Sequence, residues 1–575
     1  MKDWDESVYA WRALVAYEKG GGYWLDQYPY TWRGYYSAAF PPLVLWVSAG
    51  MFHLLGPTEF AHRLFGVGCG VAGMFGLYVL MRAVQSRLAG FMAAFALPTI
   101  FFWVKSARRG ELDIPFTCFT IWALAFYALA MFQAHGDERR QDRLLIISGL
   151  FIGLGMMCKI LITGILVGGT AFLFSLYLLG SGQRPFVRLM RDAALMILPA
   201  LAVVAPWHIA MTFSGGWEFW SWYVGFHLIQ RSSMVLDIHD KPWWFYLELM
   251  RSEFPFATWL ALQGGLVLLL AQFARGGASS PCQALPQASP LCRSRARSLF
   301  LLIMGLFPLI LYMTARTRRD AYFVPIMPGM AALAGAFMAW IVETPLTNLQ
   351  ASLVLGLMSF SEFWKLARVA RRGLSDTLEQ SPLLLLESPG RELVLLFLIP
   401  MFVGCLLLSG LGVAAATRWR RLRPYVSPLV VAMVLTMFFQ QTFSDGIKAI
   451  YDPLRGRRLF GWQKVRPLIH AKAHEGVVFW SAYTEPARTF YLHGIDELSL
   501  FEPPGRMTVD PVKFRQYVAA LDNPAVVVQT NDTLGPLSAI EGDLANLSLV
   551  AESYHLRVYA RPGSAFEAAA TRLVR

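Results

Sequence analysis

Charged residues are scarce in this chain, and long apolar runs are frequent. Asp, Glu, Lys and Arg together make up 15% of the 575 residues, whereas 56% of the residues are hydrophobic. Runs of about 20 apolar residues recur along the chain, and each is long enough to cross a ~30 Å hydrocarbon core as a helix. The composition therefore predicts a polytopic α-helical membrane protein.

The sequence lacks the signatures of disulfide and zinc sites. Most of the six cysteines lie inside apolar runs, where a cysteine behaves as a small buried hydrophobe. Cys282 and Cys292 share a loop, but no histidine accompanies them. Neither a disulfide framework nor a zinc centre is therefore indicated.

Nucleic-acid binding is not indicated either, although the net charge is +13. The basic residues fall largely in the loops between apolar runs. Membrane topology and anionic lipid headgroups explain that distribution better than a nucleic acid does. We therefore expect membrane lipids, and no nucleic acid, among the partners.

No apolar segment precedes the acidic stretch Asp3-Trp-Asp-Glu-Ser-Val-Tyr9 with which the sequence begins. An outward-facing N-terminus without a leading helix is uncommon in a bacterial polytopic protein. We expect that a first transmembrane helix lies upstream of this start, which would bring the total to about 13 spans.

About 12 apolar runs predict the transmembrane helices. They lie at 62–83, 91–104, 114–133, 144–157, 160–180, 194–212, 256–275, 298–314, 321–341, 346–362, 392–412 and 426–443. If every run crosses, most basic loops fall on one side, which the positive-inside rule assigns to the cytoplasm. The N-terminal stretch, the loop at 214–255 and everything after residue 443 then face outward from a bacterial inner membrane.

Three parts follow from this organisation. Residues 1–61 form an outward-facing first loop with the acidic stretch and membrane-surface helices, and residues 62–443 form the transmembrane domain. Residues 444–575 have the composition of a small α/β domain, predicted to lie in the periplasm. Its predicted elements are helices at 461–474, 486–493 and 512–521 and strands at 477–481, 525–529 and, as a pair, 547–560. It carries no phosphate-binding glycine loop and no catalytic triad, so we expect a recognition or capping role.

Two acidic pairs stand at the predicted outer boundary of the membrane. Asp5 and Glu6 belong to the N-terminal stretch, and Glu111 and Asp113 follow a basic cluster at the outer end of another run. A carboxylate can act as a general base when its surroundings tune its pKa, and carboxylates beside cations at this depth are costly unless they are used. We predict catalytic roles for Asp5, Glu6 and Asp113, the alternative being that the first pair belongs to a solvated loop.

Cations near the same boundary suit a phosphate group. Lys159 stands alone between two apolar runs, where a lysine costs several kcal/mol unless it reaches an anion or the interface. Arg109 and Arg318 offer planar bidentate donors to phosphate oxygens. Arg318 and the nearby Tyr322 also fit a second interpretation, a snorkelling anchor for the following helix.

A mixed polar cluster occupies the predicted outward loop at 214–255. It includes His227, Arg231 and His239, which together with Glu111 are candidates for substrate binding. No HxxxH-type spacing is present, so we predict no metal site there.

The order of several motifs resembles the GT-C membrane glycosyltransferases. Within that class the resemblance is to the protein O-mannosyltransferase (family 39) type and to the aminoarabinose transferases that modify lipid A. It covers about residues 1–345, and it rests on the following segments: the acidic stretch, Phe40-Pro-Pro-Leu-Val-Leu-Trp46, Leu54-Leu-Gly-Pro-Thr-Glu-Phe-Ala-His-Arg-Leu64, Arg109–Asp113, Gly153-Leu-Gly-Met-Met-Cys-Lys159, Ala205-Pro-Trp-His208, Lys241-Pro-Trp-Trp-Phe-Tyr246 and Tyr322-Phe-Val-Pro-Ile-Met-Pro328.

The resemblance implies roles for individual residues. Asp5, with Glu6 beside it, matches the acid of the first outer loop that acts as catalytic base or positions the acceptor, and Asp113 matches the acid of the second loop. Four residues fall where the family handles the lipid-phosphate end of the donor: Arg109, Lys159, Arg318 and Tyr322.

One departure from the family pattern concerns Phe40. Aminoarabinose transferases usually place a lysine immediately before this Pro motif, and here the position is aromatic. The departure weighs against lipid A modification and leaves the donor phosphate to other cations, such as Arg33.

The reaction implied is transfer of a sugar from a polyprenyl-phosphate donor to an acceptor on a protein, lipid A or a glycan. The acceptor nucleophile attacks the anomeric carbon, Asp5 accepts the proton, and the cations stabilise the departing phosphate, which inverts the anomeric centre. No cofactor is required, and a divalent metal is compatible but not obligatory.

Two other functions remain open from the sequence. A transporter or lipid flippase would share the many helices, but would be expected to show internal repeats or broken helices at the midplane. A non-catalytic subunit of cell-envelope polysaccharide assembly would share the topology without needing both acids.

Overall fold

Helices dominate the structure, a computed structural model, and a small mixed sheet lies near the C-terminus. The structure describes residues 5–20, 31–32, 35–36, 40–134, 136–234, 241–253, 255–273, 290–343, 465, 468–469, 474–481, 507–530, 536–553 and 556–574. The predicted spans at 346–362, 392–412 and 426–443 and the predicted boundary at residue 444 lie outside these residues.

The N-terminal half is a succession of helices with one two-stranded hairpin. The elements are α1 (Asp5–Lys19), β1 (Thr31–Trp32), β2 (Tyr35–Tyr36), α2 (Leu43–Leu55), α3 (Glu59–Val84), α4 (Arg87–Thr99), α5 (Phe101–Ala107), α6 (Asp113–Phe132), α7 (Glu138–Met156), α8 (Ile162–Gly180) and α9 (Phe186–Trp220). Side chains of Thr58, Ser86 and Asp137 cap the starts of α3, α4 and α7 by accepting a backbone N–H.

A π-helix (Ser221–Gln230) and a short helix α10 (Arg231–Ser233) continue α9 directly. They are followed by α11 (Phe245–Glu253), α12 (Pro255–Phe273), α13 (Pro290–Thr314), a 3₁₀-helix (Asp320–Ile326) and α14 (Met327–Glu343). The segment at 214–255, predicted as a loop, is therefore largely helical. Gly216 adopts φ +52°, which breaks the line of α9 but lets the helical path resume at once.

Six helices of the described part are long and apolar enough to cross a membrane. They are Glu59–Val84, Asp113–Phe132, Ile162–Gly180, Phe186–Ser233, Arg295–Thr314 and Asp320–Trp340. Each covers a predicted span, which confirms a multi-pass helical protein. The run predicted at 91–104 is instead divided between α4 and α5 at Ile100, whose extended backbone (φ −74°, ψ 91°) interrupts the helix two residues after Pro98.

The acidic N-terminal stretch begins a helix, not the loop that was expected. Its apolar residues recur at helical spacing, and Trp11, Leu14 and Val15 are all buried. That apolar face packs against the C-terminal sheet on one side and against Phe52 of α2 on another. Because the face needs partners from distant parts of the chain, the local sequence could not identify it.

Small residues let the membrane helices approach closely. Helix α3 packs on α6, α6 on α7, and α7 on α9. At the contact between α7 and α9, a Cβ atom on Gly149 would lie 2.2 Å from the carbonyl oxygen of Met196. The backbones of these two helices therefore touch.

Two loops predicted to be cytoplasmic meet at one end of the bundle. Arg188 pairs with Glu138 at 2.8 Å, and Arg191 pairs with Asp142. These ion pairs join the starts of α7 and α9, as expected if both loops lie on the same side of the membrane.

The C-terminal region forms a five-stranded sheet in the order β4-β3-β5-β7-β6. Its elements are β3 (Gly476–Trp480), β4 (Met507–Thr508), α15 (Pro511–Ala519), β5 (Pro524–Gln529), a 3₁₀-helix (Leu537–Ala539), α16 (Glu541–Leu544), β6 (Ser548–Ser553), β7 (Leu556–Ala560) and α17 (Ala565–Val574). Strands β4, β3 and β5 run parallel, whereas β5 with β7 and β6 with β7 run antiparallel.

The structure confirms the strands predicted at 477–481, 525–529 and 547–560 and the helix at 512–521. The helix predicted at 486–493 and most of that at 461–474 lie outside the described residues.

Alternating residues of the strands face two different layers. Val478, Trp480, Val526 and Val528 pack with Phe514 of α15. The residues between them, such as Phe479 and Val527, pack with α17 and with α1. Helix α1 is therefore shared between the C-terminal domain and the membrane helices.

The contact between α7 and α9 leads to a prediction about Gly149→Ala. The added methyl group would collide with the Met196 carbonyl, so we expect a loss of about 1–3 kcal/mol of stability, the usual range for overpacking. Thermal unfolding of the purified chain in detergent measures the effect. Gly168→Ala in α8 is the matched control, since a Cβ atom there meets nothing within 4 Å. Equal unfolding temperatures for the two variants would contradict the close approach.

Candidate active site

An ion pair between Lys159 and Asp113 forms the centre of the candidate site. The Lys159 ammonium donates to Asp113 Oδ1 at 2.6 Å, and the two side chains are 16% and 9% exposed. Asp113 is the first residue of α6, where the positive end of the helix dipole favours a carboxylate. Lys159 lies in the short turn between α7 and α8. The anion that an isolated lysine needs is therefore supplied by a neighbouring helix.

The backbone beside Lys159 is strained. Ile160 adopts φ +33°, a region that a β-branched residue rarely occupies. Such conformations persist only where the surrounding structure imposes them, and they are enriched at functional sites. The turn that carries Lys159 is thus held in one particular shape.

Aromatic rings surround the lysine, and a second cation approaches one of them. The Lys159 nitrogen lies 5.3 Å from the centre of the Phe116 ring and 5.0 Å from that of Tyr322. Arg231 donates to the hydroxyl of Tyr322 at 3.3 Å. Lys159 and Arg231, which are 72 positions apart in the sequence, therefore contact the same tyrosine.

Tyr322 belongs to a row of three tyrosines that reaches α11. The ring centres of Tyr312 and Tyr322 are 5.8 Å apart, and those of Tyr246 and Tyr312 are 6.3 Å apart. Burial raises the pKa of Tyr246 well above its ordinary value, and the nearby Tyr322 adds to the effect. Tyr246 therefore stays neutral at physiological pH and donates to the backbone carbonyl of Arg319 at 3.3 Å.

Arg318 is buried and makes hydrogen bonds to the backbone. Its guanidinium donates to the carbonyl oxygens of Lys241 at 2.5 Å and of Met313 at 3.0 Å. Lys241 in turn pairs with Asp320 at 2.6 Å. These bonds tie the segment before Tyr322 to the start of the 241–253 region, and the predicted phosphate contact of Arg318 stays a prediction.

Glu6 is buried and paired, unlike an acid of a solvated loop. Arg63 of α3 donates to its carboxylate at 2.5 and 3.1 Å, and the Gly110 backbone N–H donates to it at 3.2 Å. Arg63 also pairs with Glu59 at 3.0 Å. Glu6 therefore joins α1 to α3 and to the segment before Asp113, and its predicted catalytic role stays a prediction.

The segment joining α5 to α6 fits tightly against α3. A Cβ atom on Gly110 would lie 2.0 Å from Nε2 of His62. The other ring nitrogen of His62, Nδ1, is 3.1 Å from the hydroxyl of Ser48. Within this segment Arg109 pairs with the buried Glu111 at 3.7 Å. Arg109 and Glu111 therefore pair with each other, whereas Asp113 pairs with Lys159, and the predicted roles of Arg109 and Glu111 stay predictions.

His227 of the π-helix is buried against Phe40, the residue that departs from the family pattern. Their ring centres are 4.3 Å apart, and Tyr9 of α1 lies 6.3 Å from Phe40 on the other side. A main-chain bond from Leu43 to the carbonyl of Met157 links this motif to the Lys159 turn at 3.0 Å. The aromatic side chain therefore has a packing role at this position.

Three predicted site residues cannot be located. The side chain of Asp5 and the whole of Arg33 and His239 lie outside the described residues, so their roles stay predictions. Sequence reasoning missed Arg63, although it lies inside a quoted motif. What identifies Arg63 as part of the site is its pairing with Glu6, which lies 57 positions away, and no local sequence pattern reveals that pairing.

No cluster of three or more His, Cys, Asp or Glu side chains able to hold a metal ion is found within the part of the chain that the structure describes. The expectation that a metal is not obligatory stays a prediction.

Comparison with known proteins points to lipid-linked sugar transferases. Residues 39–209 match the family model described as dolichyl-phosphate-mannose-protein mannosyltransferase. Two curated relatives are undecaprenyl phosphate-α-4-amino-4-deoxy-L-arabinose arabinosyl transferases. The one from Pseudomonas fluorescens is 26% identical over 49% of this chain and 44% of its own length. That from Pseudomonas aeruginosa strain LESB58 is 26% identical over 66% of this chain and 62% of its own length. The matches thus span 44% and 62% of the lengths of these two relatives.

A solved structure agrees over nearly the whole chain. ArnT from Cupriavidus metallidurans, crystallised with undecaprenyl phosphate, superposes with a TM-score of 0.62 at 18% identity, covering 98% of this chain and 94% of ArnT. The apo form of ArnT also gives a TM-score of 0.62. The protein therefore has the GT-C fold, and its sequence is similar to those of the aminoarabinose transferases.

Proposed function

We propose that this protein is a membrane glycosyltransferase that moves a sugar from a polyprenyl-phosphate donor to an acceptor at the outer face of the membrane. The observation that carries the proposal is the convergence of Lys159 and Arg231 on Tyr322, beside the Asp113 carboxylate. A transferase of this kind needs fixed cations where the phosphate leaves and a carboxylate near the acceptor.

The charge balance of the site supports a phosphate ligand. Lys159 is largely buried and is paired with Asp113, while Arg231 approaches the same tyrosine. The positive charges of Lys159 and Arg231 beside one tyrosine favour an anionic ligand near both residues. A phosphate monoester supplies that charge, and arginine and lysine are the side chains that usually bind it.

The carboxylates at the site suit the proton transfer that the reaction also needs. In the proposed step, the acceptor nucleophile attacks the anomeric carbon, the bond from that carbon to the phosphate oxygen breaks, and Asp5 takes the proton. Lys159 and Arg231 stabilise the departing phosphate, and the single displacement inverts the anomeric centre. Because the leaving group is neutralised by these cations, the step does not require a divalent metal.

Glu6 helps to position Asp5, the proposed base. It is the neighbour of Asp5 in α1, and its carboxylate is bonded both to Arg63 and to the backbone three residues before Asp113. The start of α1 is thereby held beside the segment that leads into the Lys159–Asp113 pair. Glu6 acts in this proposal as a positioning residue.

The relatives support the donor class. The relatives are named for undecaprenyl phosphate-α-4-amino-4-deoxy-L-arabinose, and ArnT from Cupriavidus metallidurans has been crystallised with undecaprenyl phosphate. The acceptor, whether a protein, lipid A or another glycan, is not specified by these similarities. We infer that the protein resides in the bacterial inner membrane with the C-terminal domain in the periplasm. That placement is supported by α1, which packs on the C-terminal sheet and begins beside the proposed site.

Release of radiolabelled sugar from a panel of polyprenyl-phosphate sugars tests the proposal. We expect the purified chain to transfer or hydrolyse at least one donor. Asp5→Asn should lower kcat by roughly 10²–10⁴-fold, the range for loss of a general base. Lys159→Gln should lower it by roughly 10²–10³-fold, because a fixed charge at the leaving group is lost.

Arg191→Gln is the matched control for these variants. Arg191 also pairs with an acid, Asp142, but at the opposite end of the bundle, so turnover should be unchanged. Folded protein without turnover on any donor would argue for a transporter or an assembly subunit. Turnover that survives Lys159→Gln would exclude the proposed phosphate site.

A second prediction concerns Glu6→Ala. The change removes the buried carboxylate that accepts from Arg63 and from the Gly110 N–H, so we expect a loss of roughly 1–3 kcal/mol in stability. The remaining folded enzyme should show a lower kcat with little change in the donor KM, because binding of the phosphate is retained. Glu59→Gln, which removes the other carboxylate from Arg63, should cost less than about 1 kcal/mol. A Glu6→Ala enzyme with full kcat per folded molecule would refute the positioning role.

A further inference from the structure

Two aromatic residues of α9 and one of the π-helix that follows it form a triangle of mutual contacts. The ring centres of Trp207 and His208 are 4.9 Å apart, those of His208 and Tyr223 are 4.9 Å apart, and those of Trp207 and Tyr223 are 6.1 Å apart. Trp207 and His208 end the motif Ala205-Pro-Trp-His208, to which the proposed reaction assigns no role. We call these three residues the aromatic triangle.

Each member of the aromatic triangle carries a buried polar atom that is not hydrogen-bonded. Trp207 Nε1, His208 Nε2 and the Tyr223 hydroxyl all lack a partner among the described residues. Trp207 and Tyr223 are only 3% and 1% exposed. The neighbouring Trp220 differs, since its indole N–H donates to the hydroxyl of Thr212 at 3.1 Å. Buried polar groups of folded proteins are nearly always hydrogen-bonded, so three in one place point to a ligand.

The hydrogen-bonding character of the three atoms can be assigned. His208 Nδ1 lies 2.8 Å from the carbonyl oxygen of Val204. A carbonyl only accepts, so Nδ1 carries the proton and Nε2 is an acceptor. The indole of Trp207 donates, and the Tyr223 hydroxyl can do both. The triangle thus offers a donor, an acceptor and a group of either kind among aromatic faces.

This combination suits a sugar ring. The hydroxyls of a sugar both donate and accept, and its C–H face packs against aromatic rings. A purely apolar lipid chain would leave all three polar atoms unsatisfied, at a cost in binding free energy. A second phosphate is disfavoured as well, because the triangle presents no cation.

The aromatic triangle is connected to the phosphate site through one helical segment. Tyr223, His227 and Arg231 are spaced four residues apart, about one turn each, along the π-helix and its continuation. Arg231 contacts Tyr322 of the Lys159 cluster. Eight residues of helix extend roughly 12 Å, so a substrate anchored by its phosphate could reach the triangle with its sugar portion.

We propose that Trp207, His208 and Tyr223 form a sugar-binding subsite, which takes either the donor's sugar headgroup or a sugar of the acceptor. The inference rests on the proposed function for the identity of the substrates. Its structural basis, three unsatisfied polar atoms in one aromatic cluster, is independent of the Lys159 site.

Tyr223→Phe and Trp207→Phe test the subsite. The first removes one hydroxyl and the second removes the indole N–H, while both keep an aromatic ring. Because neither group has a protein partner to lose, we expect the ligand-free unfolding temperature of Tyr223→Phe to be unchanged or higher. Trp220→Phe is the matched control for ring size, since the Trp220 ring also packs on His208 and Tyr223 but its N–H is already satisfied by Thr212, so sugar binding should be retained.

Thermal unfolding with two kinds of lipid separates donor from acceptor. Undecaprenyl phosphate and polyprenyl-phosphate sugars are added to each purified variant. If the donor's sugar occupies the triangle, the sugar-bearing lipid stabilises the wild type more than the bare phosphate does, and Tyr223→Phe abolishes the difference. If the acceptor's sugar occupies it, that difference survives and the KM for a glycan acceptor rises at least tenfold, with the donor KM unchanged.

A fluorescence titration with soluble methyl glycosides tests the triangle without turnover. Quenching that is lost in Tyr223→Phe and kept in Trp220→Phe supports the subsite even if no donor is hydrolysed, in which case only the proposed reaction fails. Two results would overturn the inference. The first is that Tyr223→Phe matches the wild type in lipid stabilisation, glycoside quenching and acceptor KM. The second is that Tyr223→Phe unfolds at a lower temperature with none of these measurements changed, which would reveal a protein partner for the Tyr223 hydroxyl.

Discussion

A lysine among apolar helices must reach an anion, because an unpaired charge at membrane depth costs roughly 2.5 kcal/mol or more. Lys159 meets this requirement through Asp113, at 2.6 Å. The pair joins the turn after α7 to the first residue of α6, and Tyr322 closes over the ammonium from the 3₁₀-helix. Elements from three distant parts of the chain therefore converge on one charge. Arg231 then brings a second cation to the same point, which is why we regard this pair as the centre of the phosphate site.

Helix α1 connects this centre to the soluble part of the protein. Its apolar residues belong to one hydrophobic cluster with Phe479 and Val558 of the sheet and Phe52 of α2, whereas Glu6 in its first turn bonds to Arg63 and Gly110. One short helix thus belongs to two hydrophobic environments and carries an acid at the boundary between them. The C-terminal domain, for which the sequence indicated a recognition or capping role, shares a hydrophobic cluster with the helix in which the proposed base lies.

Much of the fold was readable from local patterns. Apolar runs located the spans of α3, α6, α8, α9, α13 and α14, because burial in lipid depends on the average hydrophobicity of a stretch. The continuous apolar run Ala525-Val-Val-Val528 located β5, because both faces of that strand are covered. The same reasoning failed for α1 and for the π-helix, whose mixed sequences are stabilised by contacts with distant aromatic and apolar side chains. It also failed at Ile100, where one extended residue divides an apolar run that hydropathy treats as continuous.

The sequence by itself determined that the chain crosses a membrane several times, that it ends in an α/β domain, and that acids and cations gather near one boundary. It also determined that Lys159 needs an anion, since that follows from the cost of a lone charge in an apolar run. Only the tertiary structure decided that the anion is Asp113, that Glu6 is bound by Arg63, and that Trp207, His208 and Tyr223 meet with their polar atoms unsatisfied. Hydrophobicity and helical periodicity are properties of neighbouring residues. The pairing of side chains 46 or 57 positions apart depends instead on how whole helices pack against one another.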